Sequence, residues 1–261
     1  MLTLALDTTT KAGSVAVLEG ERLLAVIPGD RGRTHGERLP GEIEAVLRLA
    51  GVTPRELGLL AVAAGPGAFT GLRIGLAAIQ GMAMVIGRPV VGVSALDALA
   101  ASVLERADSS RSAVAAWMDA QRGEVFSTFY TRDERAAGAD VPSTDPVVGT
   151  PAAVLRTLSP ERAEHTVFVG DGALRYRAEI AEFTGQRARV AAPPLTLAPF
   201  IGRLGQKLAA CGQAGPPHAL QPLYVRRSDA ELERARRLST PSAPSTDDSS
   251  LSSDDVPGGE L

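Results

Sequence analysis

The chain has 261 residues, a formal net charge of −3, and a composition that is 44% hydrophobic, 22% charged and 4% aromatic. The length allows one large domain or two smaller ones with a sizeable core. The near-neutral charge does not suggest a strong nucleic-acid binder, and the scarce aromatics argue against a stacking platform for single-stranded bases. Leu2–Leu6 is a short apolar run stopped by Asp7, Thr8 to Gly13 is turn material, and Ser14–Leu18 is apolar again. This pattern predicts strand, tight turn, strand, with a third strand at Arg22–Ile27 before the Pro28-Gly29-Asp30 break. Residues 34–50 switch to helical spacing, with Leu39, Ile43, Val46, Leu47 and Ala50 on one face and Gly51 placed to end the helix. Thr53-Pro54-Arg55-Glu56 reads as a capping box with proline at the first helical position. Leu59–Ala64 is a continuous apolar run, expected of a strand buried on both faces. Gly65-Pro66-Gly67 breaks it, and a helix follows from Thr70 to Gly87. A strand at Pro89–Val93 and a helix at Ser94–Glu105, with Ser94 as N-cap and Asp97 at N3, come next.

The plan then repeats. Ala113–Met118 is apolar and stops at Asp119, Ala120 to Gly123 forms a turn, and Val125–Tyr130 is a strand. Thr166–Val169 is a strand that ends at Gly170-Asp171-Gly172, with helix beyond. Strand–Asp–turn recurs at Asp7 and Asp119, and strand–Gly-x-Gly–helix at Gly65 and Gly170, at offsets of 112 and 105 residues. Two related α/β halves are expected, with a boundary near residues 106–112. Pro199–Cys211 is a further helix with Phe200, Ile201, Leu204 and Leu208 on its apolar face. Ser228–Leu238 is highly charged and reads as an exposed helix. Residues 239–261 hold five acids, no base, seven Ser and three Pro, so they should be disordered, and residues 1–238 alone carry +2. Met1–Ala5 has no basic leader, so no signal peptide is expected. The most apolar helical stretch, Ile74–Gly87, has 14 residues, short of the ~20 a bilayer requires. Cys211 is the sole cysteine, which excludes an internal disulfide and a cysteine-cluster metal site and fits a reducing cytosol.

Three segments could carry chemistry. Asp7 with Thr8, Thr9 and Thr10 could hold a metal-bound phosphate, or the side chains could simply cap their own turn, which is the stronger reading. Asp119 has the same two readings. Gly65 to Arg73 could offer free backbone N–H groups to an anion at a helix start. It is not a Walker A loop, and close packing along Gly67, Gly71 and Gly75 is favoured over anion binding. The helix that follows is apolar on every side, so the domain surrounds it or one face awaits a partner. His35 lacks a metal-binding mate, because position i+4 is Leu39. A structural or interface role is the better reading. No G-x-S-x-G elbow is present, and Cys211 has no nearby histidine.

Taken together, Leu4-Ala5-Leu6-Asp7-Thr8, His35 through Pro40, and Gly65 through Gly75 resemble the bacterial TsaB family, also called YeaZ. Gly92 through Leu96, Asp119 through Val125, Gly170-Asp171-Gly172 and Pro222 through Arg226 extend the match in order over roughly residues 2–227. The resemblance implies an actin-like ATPase superfold of two ribonuclease-H-like halves, residues 1–108 and 109–227, followed by a charged segment and tail at 228–261. Each half is a mixed sheet with flanking helices, and the last helix of the second half could pack on the first. The family takes part in making N6-threonylcarbamoyladenosine at position 37 of tRNA. Its catalytic relative, TsaD, carries an HxxxH metal pair that Leu39 breaks here, so the resemblance implies a non-catalytic scaffold with no metal and no required cofactor. ATP or ADP would bind at the interface of the complex. The implied partners are TsaD as a heterodimer, TsaE and tRNA through the complex, and a second copy when the chain is alone, in the cytoplasm and without a membrane. The implied partner surface is His35, Leu39, Ile43, Gly67, Phe69, Thr70, Gly71, Arg73, Ile74, Gly75 and Ala78, with Gly75→Arg as its natural probe. Asp7, Thr8, Thr9, Asp119, Gly170, Asp171 and Gly172 are the nucleotide or phosphate candidates. A stand-alone ATPase or small-molecule kinase is the alternative, and a peptidase a minor one.

Overall fold

Alternation of apolar residues sets the first sheet. In β1 (Leu2–Asp7) and β2 (Ser14–Glu19), Leu4, Leu6, Val15 and Val17 join one core, and Ala5, Ala16 and Leu18 join another on the opposite face. A pleated strand covered on both sides requires this. The computed structural model describes residues 1–104, 113–132, 140–142 and 145–225. The half-boundary expected at 106–112, the charged segment 228–238 and the acidic tail 239–261 lie outside those residues.

β3 (Arg22–Pro28) completes an antiparallel meander. In α1 (His35–Ala50) the Glu37 carboxylate accepts from the backbone N–H and the hydroxyl of Thr34, at 2.8 and 2.7 Å, and Gly51 ends the helix in the left-handed region at φ 67°. A short 3-10 turn at Pro54–Glu56 leads to β4 (Leu59–Gly65), every residue of which is buried. α2 (Phe69–Ile86), β5 (Val90–Ser94) and α3 (Ala95–Leu104) follow, with Ser94 capping α3 through the Asp97 N–H at 3.2 Å. The strand order is β3-β2-β1-β4-β5, with β4 parallel to both β1 and β5.

The second sheet uses β6 (Ala113–Asp119), β7 (Val125–Arg132), β8 (Asp140–Pro142), β9 (Val147–Gly149), β10 (Thr166–Val169) and β11 (Arg189–Ala191). Its order is β11-β10-β6-β7-β8, with β9 also on β7. β6 sits where β1 sits in the first sheet, with an antiparallel hairpin partner on one side and two parallel strands on the other. The same half is thus built twice, and the two together make the actin-like α/β superfold. Four short helices, α4 (Pro151–Leu155), α5 (Pro160–Glu164), α6 (Asp171–Arg175) and α7 (Arg177–Phe183), belong to the second sheet's side.

The layers follow from the cores. α1 and α2 cover one face of the first sheet. The other face meets α3 and α8 (Ala198–Ala210), and the core continues from there into the second sheet through β6 and β7. α8 lies close to its sheet because Gly202 faces Leu18 and Gly205 faces Ala61 and Val91. Ser14 Oγ accepts from the N–H groups of Leu197 and Ala198 at 3.1 and 3.0 Å, and so satisfies the start of α8 from the first sheet. Beyond α8 the chain returns along the β5 edge. Gly215 bridges Val90, Gln80 Nε2 donates to the carbonyls of Pro217 and Leu220 at 2.9 and 3.2 Å, and the Leu223 N–H donates to the Ala64 carbonyl at 2.7 Å.

One expectation needs correcting. α2 has 18 residues and is long and apolar enough, on those two counts alone, to cross a membrane. The 14-residue apolar count therefore does not exclude it. What defines α2 is packing: Leu72, Leu76, Ile79 and Ala83 are buried on the sheet while the opposite side is open. It is not buried all round.

Candidate functional site

The β1–β2 turn is built around a buried acid. Asp7 Oδ1 accepts from the backbone N–H of Thr9 at 2.9 Å and from the Thr9 hydroxyl at 2.6 Å. This is the self-capped turn that the sequence favoured. Thr8 is fully buried, and its hydroxyl has no hydrogen-bond partner because it faces Gly75 of α2. Burial pushes the Asp7 carboxyl above its ordinary value, against the two Thr9 hydrogen bonds and His35, and the nearby Asp171 carboxylate raises it a little further. The two halves therefore bring Asp7 and Asp171 into electrostatic reach.

This shift has a testable sign. An acid with a raised native pKa favours the fold fully below its unfolded value of 3.8, and that contribution is lost as pH rises through the native value. Asp7→Asn keeps the Oδ1 acceptor and removes the buried charge. It is expected to raise stability at pH 7, with the gain shrinking as pH falls through the native value and vanishing below 3.8. Urea denaturation at the two pH values checks it.

The matching β6–β7 turn is also closed on itself. Asp119 Oδ1 accepts from the Gln121 N–H at 3.0 Å, and Oδ2 accepts from Gln121 Nε2 at 3.1 Å and from Arg175 at 2.7 Å. Gln121 and Arg122 adopt positive φ of 61° and 56°, which makes the hairpin tight. Asp171 Oδ1 accepts from the N–H groups of Asp119 and Gly172 at 3.0 and 2.9 Å. Gly170, at φ 125°, lets α6 start directly against the Trp117 carbonyl. The phosphate candidates of the second half thus converge, but Arg175 already sits on Asp119.

The glycine loop is a packing device. The Ala68 N–H donates to the Thr9 carbonyl at 2.9 Å, Gly67 faces Thr9, and Gly71 and Gly75 face Thr8. Gly67 precedes the helix, so only Gly71 and Gly75 share its inner face. His35 stands at the start of α1, between this turn and α2. Its Nε2 lies 3.0 Å from the Thr10 carbonyl, and its Nδ1 lies 2.8 Å from an Arg38 guanidinium nitrogen. Both ring nitrogens are engaged and one faces a cation, while Leu39 is only 2% exposed. These residues do not fit a metal ion.

The expected partner surface divides. Leu39, Gly71 and Gly75 are buried and present no surface of their own, because α1 and α2 turn those positions onto the sheet and the β1–β2 turn. Phe69, Thr70 and Arg73 are exposed, while His35, Ile43, Gly67, Ile74 and Ala78 are half-buried. The same outward face continues through Ala77, Gly81, Met84 and Val85, which sequence reasoning missed although they follow the i, i+3, i+4 spacing of Thr70 and Arg73. At its N-terminal end Phe69 stacks on Tyr224 at 5.4 Å, and the Arg73 guanidinium lies 4.0 Å over the Phe69 ring. Only the fold shows that neighbour, since Tyr224 is 151 residues away from Arg73.

Comparison with known proteins places these features. The family model described as TsaD: tRNA N6-adenosine threonylcarbamoyltransferase matches residues 21–193. The tRNA threonylcarbamoyladenosine biosynthesis protein TsaB of Escherichia coli is 36% identical over 137 residues, 51% of this chain and 57% of that protein, so the match spans little more than half of the relative's length. TsaB of Bacillus subtilis is 26% identical over 89% of this chain and 97% of its own. The structure of YeaZ from Pseudomonas aeruginosa superposes with a TM-score of 0.70 at 31% identity, covering 85% of this chain and 99% of that one. A YeaZ structure matched along nearly its whole length, a family model spanning well over half of this chain, and the doubled fold agree, and the chain belongs to the TsaB (YeaZ) family of tRNA threonylcarbamoyladenosine biosynthesis proteins.

Proposed function

We propose that this chain is a non-catalytic subunit of the complex that makes N6-threonylcarbamoyladenosine in tRNA, and that it docks TsaD through the outward face of α2 and the adjoining part of α1. The observation that carries this reading is α2 itself. Its inner face is buried on the sheet, yet its outer face is also apolar, with Met84 and Val85 exposed at 73% and 87%. A contiguous apolar surface on a folded chain marks an interaction site. The non-catalytic part is supported by the turns, where Asp7, Asp119 and Asp171 are each satisfied within the chain. Alone, the chain would pair with a second copy through the same face. TsaE and tRNA would meet it through the complex, in the cytoplasm, with ATP or ADP at the complex interface.

Size-exclusion chromatography with light scattering tests the reading, on the chain alone and mixed with TsaD. The expected result is a homodimer that gives way to a heterodimer. Absence of a mixed species would overturn the docking. ATP turnover with magnesium by the isolated chain, abolished by Asp7→Asn, would overturn the non-catalytic assignment.

A further inference from the structure

We propose that His35 and Arg38 form a proton-operated latch between α1 and the β1–β2 turn: the neutral imidazole holds the guanidinium against the turn, and protonation of the ring drives it off. An arginine side chain only donates hydrogen bonds. The His35 Nδ1 that faces Arg38 at 2.8 Å must therefore be the acceptor, and Nε2 carries the proton donated to the Thr10 carbonyl at 3.0 Å. Arg38 also donates to the Ala12 carbonyl. Ring and guanidinium thus grip two carbonyls of one turn, from one end of one helix.

Protonation would set a donor against a donor at this distance and place two cations side by side. The ring has little room to swing away. A Cβ at Gly13 would stand 2.9 Å from His35 Cε1, and one at Gly71 3.3 Å from Cδ2. Arg38 does have somewhere to go, because its other guanidinium nitrogen already holds both oxygens of Glu42 at 2.6 and 2.7 Å. Its Nε is buried without a partner, so the present position is not one in which every donor is satisfied.

The charges that act on His35 are Asp7 from β1 and Arg38 and Glu42 from α1. The turn and α2 present backbone there, at Thr10, Gly13 and Gly71. Burial and then Arg38 hold the imidazole below its ordinary 6.5, with Asp7 and Glu42 pulling the other way. A histidine depressed in the fold contributes stability fully above 6.5, and that contribution declines as pH falls towards the native value. The latch is therefore closed at neutral pH and opens only as pH falls below 6.5 through the native value.

The latch is a property of this chain alone, so its test is independent of the partner. The full chain is titrated by NMR from pH 8 to pH 5, following the His35 ring nitrogens and the amides of Thr10, Ala12 and Gly13. The expected result is a neutral Nε2–H ring at high pH and a midpoint below 6.5, with the turn amides moving at the same midpoint. In Arg38→Met the midpoint should shift upward and the turn amides should no longer follow it. A wild-type midpoint at or above 6.5, or turn amides that stay still while His35 titrates, would overturn the latch. The wild-type titration decides the matter even where the variant does not fold.

Discussion

Gly75→Ala is expected to destabilise the chain by about 2–3 kcal/mol. Alanine is the better helix former by about 1 kcal/mol, so intrinsic propensity predicts the opposite sign. Packing decides against it. The new methyl would overlap the Thr8 hydroxyl, and Thr8 is fully buried. The turn cannot step back, because the Thr9 carbonyl accepts from Ala68 at 2.9 Å and the Thr9 hydroxyl and N–H are both on Asp7. Gly81→Ala is the internal control. A Cβ there meets nothing within 4 Å, so propensity acts alone and the variant should gain up to about 1 kcal/mol. Urea denaturation of the two variants should give shifts of opposite sign. Equal shifts would mean that the contact between α2 and the β1–β2 turn is not what holds Gly75. It follows that Gly75→Arg, attractive from the sequence as an interface probe, would disrupt the fold before any interface.

The first half was legible because its signals are local. Alternation placed β1 and β2, Thr53 with Glu56 marked a helical start, and Gly51 marked a stop, whereas the Thr34 and Glu37 box at the head of α1 went unread. The repeat of strand, acid and turn at Asp7 and Asp119 foretold a second sheet of the same topology. Elements of three to seven residues escaped: β9, β11, α4, α5 and α7 are too short to show a period of 2 or 3.6. At the candidate site, residue types were readable but their engagements were not. Asp7 and Asp119 could be named from their positions at strand ends. That Arg175 sits on Asp119, or that Arg38 occupies the side of His35 where a metal would lie, depends on side chains brought together from other elements. Close packing at Gly71 and Gly75 was readable from their spacing, but what they pack on was not: only the fold shows that Thr8 covers them, which removes both from the partner surface that the resemblance implied.

The sharpest probe of the docking surface is the pair Met84→Glu and Val85→Glu. Both side chains are exposed on the single chain, at 73% and 87%, so the fold of the monomer should change in stability by no more than about 0.5 kcal/mol. In a complex formed through α2 they would be covered, and two carboxylates would be buried without designed partners. Unpaired interfacial charge costs several kcal/mol, so affinity for TsaD should fall at least about a hundredfold, which is ~2.7 kcal/mol. Leu195→Glu supplies the matched control. Leu195 is 94% exposed, in the loop leading into α8 on the opposite face of the first sheet from α2. It should leave affinity unchanged. Each single α2 substitution adds the same one negative charge as Leu195→Glu, so comparison with the singles separates a specific surface from a general effect of added charge. If the α2 pair binds TsaD as tightly as wild type, this face is not the interface, and its exposed apolar residues would require a different partner.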